Sequence, residues 1–547
     1  MQNASNPAAR LWNLVQEEKS DITAIYFYAI LGGLIQLSLP VGIQAIISFV
    51  LAGTLSASLV VLISVLVAAV LFSGLVQLGQ MRVIERIQQR LFARYAFAFA
   101  DRIPKLDLKK IDSFYLPELV NRFFDTTSLQ KGMSKILLEI PAAMIHILFG
   151  LILLSFYHPF FILFGLLLLF LLWLILFLTG KKGLQSSLAE SSHKYGVAGW
   201  LEEMARITKS FKVAAVSGLH LKKTDQRTIQ YLNARTKHFE VLLFQYKTLI
   251  FFKVTITAAM LIVGVSLLLN QQINIGQFVA AEIIIITVIN AVEKSIINLD
   301  SVYDVLTAIE KVSKLTDKPT ETSGSYQLTS AKGVSLEARE LSFGYEAGRA
   351  ILSNLHFEIK PGEKVTIAGN DGSGKSTLLR LLLGVYRDFS GVLTINKVPI
   401  RNYNMESLRN ETGILFPHEN IFNGTVWENI TMGREGIPST YIAQLAAETG
   451  LDGFMATLQS GYDTEMEPTG KRLPRNVIQK ILLLRALAHK PRLILMEEPW
   501  QGIEEPYKSR IQNLLLQLED TTIVIATSDK QFAERCHQII QLHKNAI

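Results

Sequence analysis

Gly369, Asn370, Asp371, Gly372, Ser373, Gly374, Lys375 and Ser376 stand in the order of a phosphate-binding loop, and each residue type has a chemical use in one. Gly372 and Gly374 let the backbone turn so that successive N–H groups point inward at a β-phosphate; Lys375 reaches the β/γ oxygens; the Ser376 hydroxyl suits a Mg²⁺ ligand. Thr377 joins the loop to an apolar, helix-like run that ends at Leu383, and a strand-like run, Lys364–Ala368, precedes it. That is the strand–loop–helix context the motif requires, so the sequence predicts binding of ATP or GTP.

The elements that must carry this loop come in two kinds. The chain has 547 residues, enough for three or four domain-sized units, but only 18% of them are charged and mean hydropathy is positive at +0.29. Soluble chains carry roughly 25%. Six apolar stretches, 23–51, 59–80, 135–157, 159–178, 248–269 and 275–297, each have the roughly 20 residues that a hydrocarbon layer of about 30 Å demands. A charged start, short apolar run and small-residue cleavage site are not seen at the beginning, so the first stretch is read as a retained span and not a signal peptide.

The connections alternate. Residues 52–58, the turn at His158 and residues 270–274 are short and carry no Lys or Arg, whereas 81–134 and 181–247 are long and rich in both. By the positive-inside rule the long loops, both termini and the phosphate-loop domain are cytoplasmic. The net charge of +7 is accounted for by that placement, and no nucleic-acid partner is expected. The single cysteine, Cys536, excludes an intramolecular disulfide. Arg82, Arg86, Arg90 and Arg94 recur every fourth residue beside Ile84, Ile87, Leu91 and Tyr95, which predicts that the second span continues below the bilayer as an amphipathic helix until Pro104. Its arginines read as a solvated or lipid-facing stripe.

The expected organisation is a multidomain membrane protein: an interfacial segment over 1–21 with a short helix around Leu11, Trp12, Leu14 and Val15; an all-α transmembrane domain of six helices over 22–313; a polar linker over 314–332; and an α/β P-loop NTPase domain over 333–547.

Six spans with two long intracellular loops followed by a P-loop domain resemble a half-subunit of an ABC transporter of the exporter type, along essentially the whole chain. The similarity is greatest to bacterial bacteriocin and toxin exporters, without the papain-like peptidase domain that many of those carry. Leu341-Ser342-Phe343-Gly344-Tyr345 resembles the family's first strand and adenine-stacking aromatic, which makes Tyr345 a candidate π-face for the base. Ser390-Gly391-Val392, Ser407-Leu408-Arg409 and Phe422-Asn423-Gly424-Thr425 follow the family's order into a helical subdomain. Leu493 to Glu498 matches its apolar strand ending in two carboxylates: Glu497 stands where an Asp orders Mg²⁺ waters, and Glu498 where a Glu orients or deprotonates the attacking water. Glu497 is longer than Asp by one methylene, which octahedral Mg²⁺ tolerates poorly.

Other positions depart from the family. Pro417, or His418 with a one-residue deletion, stands in place of the glutamine that touches the Mg²⁺ shell. Leu473-Pro474-Arg475-Asn476-Val477 occupies the place of LSGGQ, so Pro474, Arg475 and Asn476 replace the Ser-Gly-Gly that caps a partner's ATP; Pro474 is still compatible with a helix start. Thr527 replaces the switch histidine, and Trp500 to Glu504 replaces the dimer-crossing loop. The resemblance therefore implies Mg-ATP as ligand and a second half-transporter as partner, a heterodimer being favoured over a homodimer. It further implies residence in a bacterial cytoplasmic membrane, room for a periplasmic adaptor, and hydrolysis that is slow or partner-dependent, with Lys375 and Glu498 as catalytic groups. The alternative is an ATP-binding, hydrolysis-deficient regulatory scaffold.

Three expectations concern the membrane half. Lys253 and Glu293 fall at one depth on antiparallel spans and are expected to pair. Glu282, higher in the sixth span, is expected to face an aqueous cavity. Phe123, Phe124 and Asp125 resemble a coupling helix, with a counterpart near 218–226.

Overall fold

A computed structural model describes residues 6–53, 57–111, 116–214, 218–345, 349–417, 419–470 and 472–543. They form two compact units, Met1–Lys105 with Ser113–Lys318, and Leu106–Asp112 with Pro319–Ile547.

The helices of the N-terminal half are, in chain order, α1 (Pro7–Glu17), α2 (Lys19–Leu51), α3 (Ala57–Arg102), α4 (Leu108–Ile111), α5 (Leu116–Asn121), α6 (Asp125–Ser155), α7 (Phe160–Arg206), α8 (Thr208–Val213), α9 (Leu219–Leu269), α10 (Ile275–Ile297) and α11 (Leu299–Thr316). Among the described residues six helical stretches are long and apolar enough to cross a membrane. Apolar contacts hold them together: Leu154, Phe161, Leu168, Ile256, Ile284 and Val288 form one cluster along α6, α7, α9 and α10. Glycines allow the closest approaches, since a Cβ on Gly150 would lie 2.5 Å from Val288 and one on Gly132 2.4 Å from Val305. At the other end of the unit Leu14 of α1 packs with Ile22, Ile25, Val83, Ile87 and Leu91.

The second span does continue as one helix, to Arg102. Its arginine stripe is not simply solvated: Arg90 pairs with Glu18 and Asp21, and Arg94 with Glu17 and Glu18. Carboxylates at the α1–α2 junction, distant in sequence, neutralise its lower half, Arg90 and Arg94. α11 carries the helix on to Thr316, past the position where the polar composition suggested a linker, because Val305, Ile309, Val312 and Leu315 keep a buried stripe at helical spacing.

Lys253 Nζ of α9 donates to Glu293 Oε2 of α10 at 2.8 Å, the pairing expected from their matched depth. Removing one partner leaves the other charge uncompensated beside lipid. A double-mutant cycle of Lys253→Ala and Glu293→Ala, read in unfolding of the lipid-reconstituted protein, is expected to give a coupling of about 0.6 kcal/mol or more. Additive losses would dismiss the pair. Glu282 is half-buried on α10.

The reading of Phe123 as part of a coupling tip is corrected, although its neighbour Phe124 is exposed. Phe123 is stacked edge-on between Phe92 and Phe99 at 5.3 and 5.5 Å, within the core of the first unit, and Asp125 is buried. The part of the first long loop that folds with the second unit is Leu106–Asp112. There Leu106 bridges Thr320, and Lys109 Nζ lies 3.4 Å from Asp388 and 5.5 Å above the Phe343 ring. Of the counterpart expected near 218–226, Gly218 caps α9 with φ +72° and the rest is the first turns of that helix.

The second unit adds β1 (Leu336–Phe343), β2 (Leu352–Ile359), β3 (Lys364–Ala368), α12 (Lys375–Leu382), β4 (Ser390–Ile395), β5 (Val398–Pro399), α13 (Met405–Asn410), β6 (Thr412–Leu415), β7 (Gly424–Thr425), α14 (Val426–Thr431), α15 (Ser439–Thr449), α16 (Asp452–Met455), β8 (Glu465–Met466), α17 (Arg475–Leu487), β9 (Leu493–Glu497), α18 (Tyr507–Gln517), β10 (Thr522–Ala526), α19 (Lys530–Glu534) and β11 (Gln538–Gln541). A parallel sheet in the order β11-β3-β10-β9-β6 is accompanied by an antiparallel sheet in the order β2-β1-β4-β5. The strands β3, β9 and β10 are buried on both faces, which is why β9 and β10 read as near-continuous apolar runs, while β3 also buries Lys364 and Thr366.

Candidate functional site

In an open parallel sheet, ligands lie beyond the carboxyl ends of the strands. Register places three such ends side by side: Ala526 of β10 pairs with Ile367 of β3 and with Glu497 of β9. The phosphate-type loop leaves β3, the two carboxylates end β9, and Thr527 and Ser528 follow β10.

The loop has the shape its glycines predict. Gly372 and Gly374 have φ of +78° and +96°, values that disfavour a side chain, and a Cβ on Gly374 would stand 2.7 Å from Leu352. Gly374 is the N-cap of α12, so the unpaired N–H groups of that helix open toward the loop. Lys375 Nζ donates to the carbonyls of Gly369 and Asn370 at 2.8 and 3.1 Å and lies 3.9 Å from Asp371. It is folded back over the loop and can exchange these carbonyls for phosphate oxygens.

The carboxylates are held differently from one another. Ser376 Oγ donates to Glu497 Oε1 at 2.7 Å, so the longer arm of Glu reaches the loop hydroxyl. Glu497 Oε2 is buried and has no hydrogen-bond partner among the described residues. An orphaned carboxylate oxygen beside a serine hydroxyl is a pair of hard oxygen donors, and these residues fit Mg²⁺. Glu498 sits at φ +43°, with its backbone N–H donating to the Ala526 carbonyl at 2.8 Å. Thr527 Oγ1 donates to Glu498 Oε2 at 2.9 Å, and the Ser528 N–H donates to Oε1 at 2.6 Å. An ionised carboxylate offers about four lone-pair positions, so two remain for a water.

One cleft of ≈ 830 Å³ is lined by Tyr345, Gly369 to Gly372, Gly374 to Thr377, Arg380, Glu497, Glu498 and Ser528. Tyr345 is both wall and packing: its hydroxyl lies 3.0 Å from Thr377 Oγ1, while its ring meets Phe343 and Tyr386 edge-on at 5.3 Å each. Ser373 is buried below the loop, its hydroxyl unpartnered. Arg380 and Ser528 had no motif to mark them. Ser528 could have been found as the neighbour of Thr527, since a strand end presents its next backbone N–H to the same crevice.

A second cleft of ≈ 650 Å³ adjoins the first, because Glu497 and Glu498 line both; Phe416, Pro417, Arg475 and Gln479 form its other walls. His418 lies outside the described residues. Pro474 is the N-cap of α17 with φ −58°, and the helix starts at Arg475, as expected of a proline there. Asn476 Oδ1 accepts from the Val477 N–H at 2.9 Å, and Arg475 is exposed. Gln479 Nε2 donates to the carbonyl of Pro499 at 3.0 Å, tying α17 to the segment after Glu498. At the end of that segment the Glu504 carboxyl is held below its usual range by its own backbone N–H and by Lys480.

The family model described as the ABC transporter transmembrane region matches residues 22–292, and the model described as ABC transporter matches residues 352–501. A multidrug efflux ATP-binding/permease protein of Mycobacterium tuberculosis is 33% identical over 221 residues, 40% of this chain and 18% of that protein. An ATP-dependent lipid A-core flippase of Saccharophagus degradans is 31% identical over 244 residues, covering 44% and 40%. A lactococcin-A transport/processing ATP-binding protein of Lactococcus lactis is 27% identical over 297 residues, covering 54% and 41%. The matches thus span less than half the length of these relatives. A solved bacterial Atm1-family ABC exporter with ATP bound superposes with a TM-score of 0.85 at 19% identity, covering 96% of this chain and 94% of that one.

Proposed function

We propose that this chain, which belongs to the ABC transporter family and joins a six-helix exporter-type membrane domain to an ATP-binding domain, couples ATP binding and hydrolysis to export of a peptide or protein as one half of a dimer. The observation that carries the reading is the convergence of Lys375, Ser376, Glu497 and Glu498 on one cleft at adjoining strand ends. Lys375 exchanges its bonds to the Gly369 and Asn370 carbonyls for the β/γ oxygens. Glu498, oriented by Thr527 and Ser528, takes a proton from the attacking water as the water oxygen bonds to the γ-phosphorus; the bond from phosphorus to the β–γ bridging oxygen breaks, and ADP leaves with that oxygen. Ser376 and Glu497 would hold Mg²⁺, which when bound would neutralise charge on the phosphate oxygens.

The peptide or protein cargo is supported by the relative named for lactococcin-A transport. A heterodimer in a bacterial cytoplasmic membrane, served by a periplasmic adaptor, fits best, because Pro474, Arg475 and Asn476 remove the Ser-Gly-Gly that a partner's ATP would need. A partner with that segment intact completes the site built on Lys375 and Glu498. The same substitutions favour a second reading, a scaffold that ATP dimerises without turnover. ATPase activity in phospholipid vesicles, with and without a co-expressed partner, separates them. Phosphate release that needs Glu498 supports the exporter, whereas tight ATP binding with no release in either preparation supports the scaffold.

A further inference from the structure

Four helix faces of the first unit meet around a polar hollow of ≈ 300 Å³. Gln36 of α2, Gln77 and Gln80 of α3, Glu139 and His146 of α6, and Lys294 of α10 line it, with small residues such as Gly32 and Ala142 leaving the space between them. Helical spacing explains the convergence: positions 32 and 36, 77 and 80, and 139, 142 and 146 each fall on one face.

The polar groups are not consumed by one another. Gln80 is buried and donates to the Leu137 carbonyl at 3.3 Å, and Glu139 meets Asn298 at 3.3 Å and Lys294 at 3.9 Å. Among the described residues, Gln36, Gln77 and His146 have no side-chain hydrogen bond or ion pair, although they lie within candidate membrane spans. In a layer that offers no water from the lipid side, unpartnered carboxamides are retained where they face a cavity and its contents.

The composition selects the contents. Lys294 is balanced by Glu139 at 3.9 Å, so the formal charges of this pair cancel within the hollow. A phosphate or a lone cation would meet an equal opposing charge. Gln36 and Gln77 each present a donor pair and an acceptor, the complement of a peptide amide, which has one N–H and one C=O. The walls between them, Val76, Leu138 and Ala143, are apolar and suit an uncharged side chain. The volume is at the low end of ligand pockets, about 300 to 1,000 Å³, and takes a short segment of a chain.

We infer that this hollow binds an uncharged, amide-bearing segment of a peptide through Gln36 and Gln77. The inference deepens the export reading and rests on it for physiological meaning. It distinguishes peptide amides from lipid phosphates and from apolar cations.

The test uses the full chain in phosphatidylcholine nanodiscs and a neutral N-acetyl dipeptide amide bearing a diazirine side chain. Photolabelling is expected on α2, α3 and α6 around Gln36, Gln77 and His146, and to be displaced by the unlabelled N-acetyl dipeptide amide but not by an alkyl phosphate or an apolar quaternary ammonium ion. The double variant Gln36→Leu, Gln77→Leu should lose labelling by about tenfold or more while retaining ATP. Labelling elsewhere, equal displacement by the alkyl phosphate or the cation, or undiminished labelling of the double variant would overturn the inference. Adduct mapping and competition on the parent chain decide the matter even where the double variant does not fold. Labelling should persist in Glu498→Gln, so loss of the pocket and loss of ATP-driven turnover are separately visible.

Discussion

Replacing Glu498 by Gln is expected to reduce ATP turnover by about 10² to 10³, with little change in ATP affinity. The amide keeps the size of the side chain and one oxygen for the Thr527 hydroxyl or the Ser528 N–H. It cannot take a proton from water, while its NH₂ can still donate to the Thr527 hydroxyl oxygen as its carbonyl oxygen accepts from the Ser528 N–H. Turnover measured by phosphate release and affinity measured with a fluorescent ATP analogue resolve the two effects. A variant that hydrolyses ATP at the parent rate would remove Glu498 from the mechanism.

Restoring the altered signature should act in the opposite direction. In a preparation of this chain alone, two copies supply two segments in which Pro474 removes an N–H and Arg475 and Asn476 place side chains where backbone would approach phosphate. The triple variant Pro474→Ser, Arg475→Gly, Asn476→Gly is expected to raise turnover by about tenfold or more, since each preorganised donor is worth up to about 10² to 10³ and such effects do not simply add. The host helix tolerates the change: α17 is anchored by buried Val477, Ile481 and Leu484, downstream of the altered residues. The same variant should matter less when a partner with its own Ser-Gly-Gly is co-expressed, because that partner already completes the site on Lys375. Unchanged turnover of the triple variant alone would mean that the limit lies elsewhere, with Thr527 the next position to restore to His.

What the sequence made legible was local. The phosphate loop could be read because its function is written in contiguous residues, Gly369 to Ser376, and the six spans because length and apolarity suffice to mark them. The Lys253–Glu293 pair could be reached by counting helical rise from a shared turn. Features set by tertiary packing stayed hidden. Phe123 looked like a docking aromatic, yet Phe92 and Phe99 from another helix enclose it. Arg90 and Arg94 of the α3 stripe looked solvated because their carboxylates, Glu17, Glu18 and Asp21, sit at the α1–α2 junction. The bonds from Thr527 and Ser528 to Glu498 needed the β9–β10 register, and the polar hollow needed the packing of four helices, α2, α3, α6 and α10. Even Glu497, which by length alone should fit poorly, is carried by that length to Ser376.

Equilibrium binding of ATP to the full chain in lipid, compared with Lys375→Ala, tests most directly that the loop at Gly369 grips a triphosphate. An ammonium held by two loop carbonyls and a long contact to exposed Asp371 is free to transfer to phosphate oxygens, and charge-assisted bonds of that kind are worth about 1.5 to 3 kcal/mol each, so affinity should fall by about tenfold to 10² or more. Binding by the variant as tight as by the parent would contradict the nucleotide site, and with it the proposal that this membrane domain is driven by ATP.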